Sequence, residues 1–175
     1  VGTIEPRKNL LSLARAFDAL VETGEALNYD LVIAGTHGWK YQDILKNIDD
    51  LPSRSRIHFT GFVRDEDKPA LYNLASIFVS PSFYEGFGFP SLEAAACGVP
   101  VIASHTSSFS ETVGAGALLI DPLRPDDLFR ALRELLRDAP LRDKLSQRGR
   151  ACAASFRWKE TAQRTLKVFR EVIRR

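Results

Sequence analysis

Short apolar runs and helical apolar patterns alternate along this chain from residue 10 to residue 120. Apolar side chains recur on one helical stripe over residues 10–21, with Asn9 placed to cap the helix. Residues 30–34 form an apolar run that ends at Gly35, which predicts a strand buried on both faces. The alternation predicts an α/β fold, in which a parallel β-sheet carries helices on both faces. Further helices are predicted near residues 39–48, 67–74, 91–97 and around Glu111, and further strands at residues 56–60, 77–80, 99–103 and 117–120.

Beyond residue 125 the pattern is helical only, which predicts a helical C-terminal tail. We expect these helices to pack on the sheet, or the last of them to reach toward another domain. With 175 residues, 45% hydrophobic and 26% charged, the chain is expected to form one globular domain over residues 1–175 rather than a disordered or disulfide-stapled chain. Cys97 and Cys152 stand apart, without metal-ligand spacing, and a reducing cytoplasmic location fits them best.

Charge is unevenly distributed between the two parts of the chain. Residues 1–123 carry 9 basic against 15 acidic side chains, whereas residues 124–175 carry 15 basic against 7 acidic ones. The basic tail is typical of a solvated helical face, of peripheral contact with an anionic membrane at its inner face, or of contact with an acidic neighbouring domain. Nucleic acid is not expected as a partner, because no recognised aromatic and basic motif accompanies the charge. The sequence also has no apolar run of the length, about 18 residues, that crosses a membrane, and no secretory signal pattern.

Residues 81–100 form the stretch richest in candidate functional side chains. Gly86 and Gly88 allow the backbone to approach a ligand closely, and Pro90 suits the first position of a helix. Free amides and the positive end of the helix dipole at such a position bind phosphate or another anion. The phosphate loop Gly-x4-Gly-Lys-Ser/Thr does not occur in the sequence.

Glu85 and Glu93, eight positions apart, lie in this loop and in the helix that follows it. Each carboxylate can accept hydrogen bonds from two neighbouring hydroxyls, as a sugar ring or a ribose presents them. The alternatives are that Glu93 complements the helix dipole while Glu85 is a solvated acid, or that the two acids are the catalytic pair of a glycosidase.

Two further segments carry charged side chains. One is the turn at residues 2–9, before the first predicted helix, and the other is residues 60–68, after the strand predicted at residues 56–60. Arg7 and Lys8 lie in the turn at residues 2–9 and can neutralise a diphosphate. Residues 60–68 include Val63, which can cover a base, and acids that can accept from the ring N–H and amino group of guanine. Asp67 can instead be a plain helix cap.

Together these segments resemble the C-terminal, donor-binding half of retaining glycosyltransferases of the GT-B fold, in particular the bacterial mannosyltransferase-like branch of group 1. The resemblance covers almost the whole chain. It implies a Rossmann-like domain that binds a nucleotide-sugar donor for polysaccharide biosynthesis, and an N-terminal acceptor domain that the 175 residues do not include. Because the chain starts at Val1 rather than at Met, we expect a fragment. The resemblance rests on residues 1–9, on Leu-Val-Ile-Ala-Gly at 31–35, on Gly-Phe-Val at 61–63, on Glu-Gly-Phe-Gly-Phe-Pro-Ser-Leu-Glu-Ala at 85–94 and on Glu-Thr-Val-Gly at 111–114.

The resemblance implies that Glu85 and the amides of Phe87 and Gly88 hold the hydroxyls of the donor sugar. Glu93 would bind the ribose, and the amides of Ser91 and Leu92 would contact a phosphate.

Lys8 matches the family's diphosphate-binding lysine. Thr3 stands where the family often has a second cation, so either Arg7 compensates or phosphate binding is weaker. Val63, Asp65 and Lys68 match positions that hold guanine in members that use GDP-mannose.

The reaction that the resemblance implies is transfer of a hexose, expected to be mannose, to an acceptor hydroxyl with retention of configuration. Lys8 and Arg7 would stabilise the charge on the departing diphosphate, Glu85 would orient the sugar, and neither a cofactor nor a metal is expected. A UDP-sugar donor and a binding module without catalysis are the alternatives. The fragment alone is expected to be inactive, and none of its three histidines matches a catalytic position.

Overall fold

The computed structural model describes residues 1–173 and has an α/β architecture. The strands are Leu31–Ala34 (β1), Ile57–Gly61 (β2), Phe78–Ser80 (β3), Val101–Ser104 (β4) and Ala117–Ile120 (β5). The helices are Leu10–Glu22 (α1), Tyr41–Asp49 (α2), Lys68–Leu74 (α3), Phe89–Ala96 (α4), Phe109–Thr112 (α5), Pro125–Arg137 (α6), Ala139–Ala154 (α7) and Trp158–Ile173 (α8). The predicted alternation of strands and helices is thus confirmed, as is the helical tail.

All strand pairs are parallel, but they form two sheets instead of one. β1 pairs with β2, and β4 lies between β3 and β5. The prediction that β1 is buried on both faces is wrong for Val32, which is 46% exposed, whereas Ile33 is buried at 3%. Successive side chains of a strand point to opposite faces. Ile33 therefore packs in the core, while Val32 borders a cleft between the two sheets.

Two apolar clusters hold the helices to the sheets. The larger one joins β1, α1, α2 and α6, and the smaller one joins β3 and β4 to α3, α4 and α5. The tail differs in its two parts: α6 packs on α1 and α7 packs on α4, whereas α8 has no buried residue. The first two tail helices thus belong to the body of the domain, and the last one lies outside the core.

The loops at the carboxyl ends of the strands lie at one edge of the molecule, beside the turn at residues 2–9. Gly2 donates its amide to the carbonyl of Ala34, and a β-carbon on Gly35 would lie 1.7 Å from the Gly2 carbonyl oxygen, so Gly35 must lack a side chain here. Asn9 donates its side-chain amide to the carbonyls of Pro81 and Pro122, each at 3.2 Å. These contacts place the turn against the loops that follow β1, β3 and β5.

Candidate functional site

Glu85 lies at the centre of a buried charge cluster at this edge. The Lys8 Nζ donates to the Glu85 Oε1 at 2.5 Å, and the Ser82 hydroxyl donates to the same oxygen at 2.8 Å. The guanidinium of Arg7 reaches the Glu85 Oε2 at 2.8 Å. Glu85 is only 8% exposed. The three residues with predicted catalytic roles are therefore in direct contact.

The electrostatics of this cluster keep Glu85 ionised. Burial by itself would raise the pKa of Glu85, but hydrogen bonds from Lys8, Arg7 and Ser82 outweigh burial, and the net pKa lies below its usual value. The hydrogen bond with Glu85 also raises the pKa of Arg7, despite the opposing effect of desolvation. A general acid of a glycosidase needs a raised pKa. The cluster therefore argues against Glu85 as the acid of such a pair.

A short 3₁₀ turn over Pro6–Lys8 positions the two cations. Two hydrogen bonds hold Arg7 against the loop after β3. Its NH1 donates to the Tyr84 carbonyl at 2.6 Å, and its backbone carbonyl accepts from the Phe83 amide at 2.9 Å. Glu5 accepts a second bond from the Arg7 guanidinium at 2.6 Å. The guanidinium is therefore shared between two carboxylates and is more exposed than the Lys8 ammonium.

The loop between Glu85 and α4 presents backbone donors. Among residues 1–173, no carbonyl or side chain accepts from the amides of Gly86, Phe87 and Gly88. The Glu85 backbone is itself held by two hydroxyls of the β4 loop, since its amide donates to Ser107 at 3.0 Å and its carbonyl accepts from Ser108 at 3.1 Å. Ser107 and Ser108 were not predicted as site residues. The sequence feature that could have identified them is the run of hydroxyl residues that closely follows a predicted strand.

The start of α4 differs from the prediction at Pro90, Ser91 and Leu92. The helix begins at Phe89, so Pro90 occupies its second position. The amides of Ser91 and Leu92 donate to the Gly88 carbonyl at 3.0 and 3.4 Å. These two amides are engaged within the first helical turn, and the amides that remain open to an anion belong to the preceding loop.

Glu93 is the fifth residue of α4 and faces α3. The Tyr72 hydroxyl donates to the Glu93 Oε2 at 2.7 Å, and Tyr72 is buried at 2% exposure. Burial and the bond with Glu93 both raise the pKa of Tyr72. Sequence reasoning missed Tyr72, because its pattern indicates only a core position. The bond fixes one carboxylate oxygen of Glu93, and among residues 1–173 no donor is bonded to the other.

The loop after β2 carries the predicted base-binding residues Val63, Asp65 and Lys68. Lys68 Nζ lies 2.6 Å from the carboxylate of Asp65, a side chain that is 93% exposed. The hydrogen bond with Asp65 raises the pKa of Lys68 despite the opposing effect of desolvation, and the negative charge of Glu93 adds to the increase. Val63 is half-buried in the same loop.

Asp67 occupies the cap position of α3, but its side chain caps nothing and accepts from Arg64 at 2.9 Å. Asn9 likewise occupies the cap position of α1 without a capping side-chain bond. Neither side chain caps its helix as predicted. The Asn9 side chain bonds to the carbonyls of Pro81 and Pro122 instead, and the Asp67 side chain bonds to Arg64 in its own loop.

The expectation of a metal-free site rests in part on the absence of an Asp-x-Asp pair, and this part is wrong, because Asp65 and Asp67 have that spacing. In the structure these carboxylates are bonded to Lys68 and Arg64, respectively. Within residues 1–173 no group of three or more potential metal ligands comes together. The predicted independence from metal and cofactor stays a prediction. Over the same residues, no helix is both long and apolar enough to span a membrane.

Comparison with known proteins identifies relatives of this chain. The family described as "Glycosyl transferases group 1" matches residues 1–151. O-antigen chain mannosyltransferase B of Escherichia coli is 40% identical over 172 residues, which are 97% of this chain and 44% of that protein. The chain thus spans less than half of the length of this curated relative.

Two solved structures share the fold. Sucrose-phosphate synthase from Thermosynechococcus elongatus superposes with a TM-score of 0.85 at 26% identity, over 98% of this chain and 45% of that one. Anabaena HepE in complex with UDP-glucose superposes with a TM-score of 0.84 at 21% identity, over 97% of this chain and 48% of that one. The predicted Rossmann-like half of a GT-B fold is confirmed by these neighbours.

Proposed function

We propose, on the premise that this chain belongs to the group 1 glycosyltransferase family, that it binds the nucleotide diphosphate sugar of a longer enzyme, and that this donor is GDP-mannose. The longer enzyme would transfer the hexose to an acceptor hydroxyl with retention of configuration. Acceptor recognition would then lie in a further, N-terminal domain, because the chain spans only 44% of its mannosyltransferase relative.

The observation that carries the proposal is the buried contact of Glu85 with Lys8 and Arg7 beside the open amides of the glycine loop. Cations and backbone N–H groups bind a diphosphate, and a carboxylate binds sugar hydroxyls. Because both kinds of group meet at Glu85, one ligand that joins a diphosphate to a hexose satisfies the cluster. A free phosphate or a free sugar would satisfy only half of it.

Two further acids support the nucleotide part of the ligand. The free oxygen of Glu93 can accept from the ribose hydroxyls, while Tyr72 holds the other oxygen. Asp65 is exposed and can accept from the amino and ring N–H groups of guanine, with Val63 against the base. The relative named as a mannosyltransferase favours mannose as the sugar. HepE with bound UDP-glucose keeps a UDP-sugar as the second candidate donor.

In the proposed reaction the bond between the anomeric carbon and the diphosphate breaks, the acceptor hydroxyl oxygen bonds to that carbon on the same face, and the negatively charged departing nucleoside diphosphate takes up the hydroxyl proton. Lys8, Arg7 and the loop amides are fixed before the reaction, so they stabilise this charge without reorganising. Loss of one such donor costs about 3 kcal/mol of barrier in comparable sites. Glu85 is held by three donors and orients the sugar.

The basic C-terminal segment stays without an assigned partner. α8 carries exposed Trp158, Phe169 and Ile173 together with four basic side chains, and it has no buried residue. The peripheral contact with an anionic membrane and the contact with another domain both stay predictions, as does the cytoplasmic location.

Calorimetric titration of the chain with GDP, UDP and ADP tests the proposal. We expect GDP to bind at least about tenfold more tightly than UDP and ADP, in the presence of a metal chelator as well as without it, because one charged hydrogen bond is worth about 1.5–3 kcal/mol. Preference for UDP would contradict the guanine assignment. Failure of all three to bind would contradict the site itself.

Two substitutions separate the proposed roles. Glu93→Ala is expected to weaken the binding of all three nucleotides by about tenfold, whereas Asp65→Ala should remove only the preference for GDP over UDP and ADP. Glu66→Ala is the matched control, since Glu66 is an exposed acid of the same loop that pairs with Arg64. Equal effects of Glu93→Ala and Asp65→Ala would contradict the assignment of ribose and base.

A further inference from the structure

The four cations of the candidate site are all paired with carboxylates. Arg7 contacts Glu5 at 2.6 Å and Glu85 at 2.8 Å, and Lys8 contacts Glu85 at 2.5 Å. The two other cations, in the loop after β2 and at the start of α3, pair with the three acids of that loop. Together with Glu93, these pairs bring six acidic and four basic side chains to the site. A diphosphate that enters the site therefore meets no net positive charge.

The Lys8 ammonium can hold a phosphate only close to Glu85. An ammonium has three N–H donors, and within residues 1–173 the Glu85 Oε1 is the only acceptor bonded to the Lys8 Nζ. A phosphate oxygen bonded to a second N–H at about 2.8 Å would lie about 4–5 Å from that carboxylate oxygen. The pKa of Glu85 lies below its usual value, so the carboxylate is charged at neutral pH. Because Glu85 is 8% exposed, salt and water screen the repulsion between the two anions only weakly.

A sugar joined to the diphosphate has the opposite interaction with Glu85. Two donors occupy the Glu85 Oε1 and one contacts Oε2, which leaves Oε2 able to accept a further bond. A hydrogen bond from a sugar hydroxyl to a charged oxygen is stronger than one between neutral groups. A nucleoside diphosphate without the sugar offers Glu85 only negative charge. The same carboxylate therefore attracts one part of an intact donor and repels another.

We propose that Glu85 determines the selectivity of the site between the intact nucleotide sugar and the nucleoside diphosphate that remains after transfer. This inference rests on the proposed function, in which both ligands bind beside Glu85. While the sugar is attached, its hydroxyls offset the repulsion between Glu85 and the diphosphate. Once the sugar has been transferred, only the repulsion is left, and the spent nucleotide is released.

Glu5 allows the repulsion to be separated from the contact with the sugar. Within residues 1–173, the Glu5 side chain bonds only to the Arg7 guanidinium. Its charge therefore reduces the attraction of Arg7 for an anion, as that of Glu85 does. Glu5 has no proposed contact with the sugar, so neutralising it changes only the charge that a diphosphate meets.

Calorimetric titrations with inorganic pyrophosphate, GDP and GDP-mannose test the proposal, each in the presence of a metal chelator. The variants are Glu85→Gln and Glu5→Gln, which keep the size of the side chain and remove its charge. Glu66→Gln is the matched control, because Glu66 pairs with Arg64 rather than with the cations beside Glu85. Thermal unfolding of each variant shows that it is folded at the temperature of the titration.

We expect the unmodified chain to bind GDP-mannose at least about tenfold more tightly than GDP. Glu85→Gln should bind pyrophosphate and GDP about tenfold more tightly, and its preference for GDP-mannose over GDP should fall at least about tenfold. Glu5→Gln should bind pyrophosphate, GDP and GDP-mannose all about threefold more tightly, with the preference retained. Glu66→Gln should change none of these affinities by more than about twofold.

Unchanged or weaker binding of pyrophosphate and GDP to Glu85→Gln would overturn the proposal, and so would an unchanged preference for GDP-mannose. If Glu85→Gln does not fold, Glu5→Gln decides, because unchanged pyrophosphate binding there would exclude the repulsion on which the proposal depends. The same pattern with UDP and UDP-glucose would support this inference and contradict only the guanine assignment. Failure of the unmodified chain to bind any of these ligands would overturn the proposed function itself, and this inference with it.

Discussion

Asn9 shows how one side chain connects three loops of the candidate site. Its backbone has a φ of 54°, in the left-handed region that asparagine tolerates better than most residues. Its amide nitrogen bonds the carbonyls of Pro81 and Pro122, and Asn9 is 7% exposed. Lys8 directly precedes it. The position of the lysine that contacts Glu85 therefore depends on a residue that touches no part of the proposed ligand.

Substitution of Asn9 is expected to destabilise the domain in two separable ways. Asn9→Gly removes both hydrogen bonds but keeps the backbone unstrained, and it should lower the free energy of unfolding by about 1–3 kcal/mol. Asn9→Ala adds the cost of a left-handed alanine, about 1 kcal/mol more. Urea-induced unfolding measures both, and Asn73→Ala, an exposed helical asparagine with a local bond, is the control with a change within about 0.5 kcal/mol. Wild-type stability for Asn9→Gly would show that the two bonds contribute nothing.

At the scale of elements, the junction between the glycine loop and α4 depends on contact with α5. Gly88 has a φ of 83°, and a β-carbon on it would lie 2.7 Å from the ring of Phe109, which is fully buried. Gly86 lies two residues earlier in the same loop, and nothing lies within 4 Å of a β-carbon there. The two glycines look equivalent in the sequence, but only Gly88 is required by packing.

Gly88→Ala is expected to lower the free energy of unfolding by about 2–4 kcal/mol, because the left-handed backbone and the overlap with Phe109 both oppose a methyl group. It should also weaken nucleotide binding, since the open loop amides would move. Gly86→Ala should leave stability nearly unchanged. Denaturant titration of both variants is the measurement, and equal losses for the two would contradict the packing argument.

At the scale of the whole molecule, the amine at Val1 of the 175-residue chain couples the stability of that chain to pH. The amine lies near Lys8, Lys68 and Glu93, but burial is the main cause of its lowered pKa, from 8.0 to about 6. Between these two values the unfolded chain binds a proton that the folded chain does not. Stability must therefore rise with pH across this interval.

We expect the free energy of unfolding to increase by about 2–3 kcal/mol between pH 6 and pH 8, and to be insensitive to this group above pH 8 and below pH 6. Acetylation of the amine removes its charge, so the acetylated chain should lose this increase. Chemical unfolding at several pH values measures both forms. The same increase in both would assign the pH dependence to another group.

The order of helices and strands, the glycine loop and the candidate acids and cations were all predictable from the sequence. Helical and strand periodicities are local properties, repeated within a few residues, and they place the elements along the chain to within a few residues of their ends without tertiary information. The resemblance carried by residues 85–94 likewise depends on contiguous residues.

Only the tertiary structure decided which groups these side chains contact. Lys8 and Glu85 are 77 positions apart, and Tyr72 meets Glu93 across two helices. The Ser107 and Ser108 hydroxyls, the Asn9 bonds and the separation of the sheets also depend on how distant segments pack. A side chain with several competing hydrogen-bond partners takes the one that folding brings within reach, and no local pattern specifies that choice.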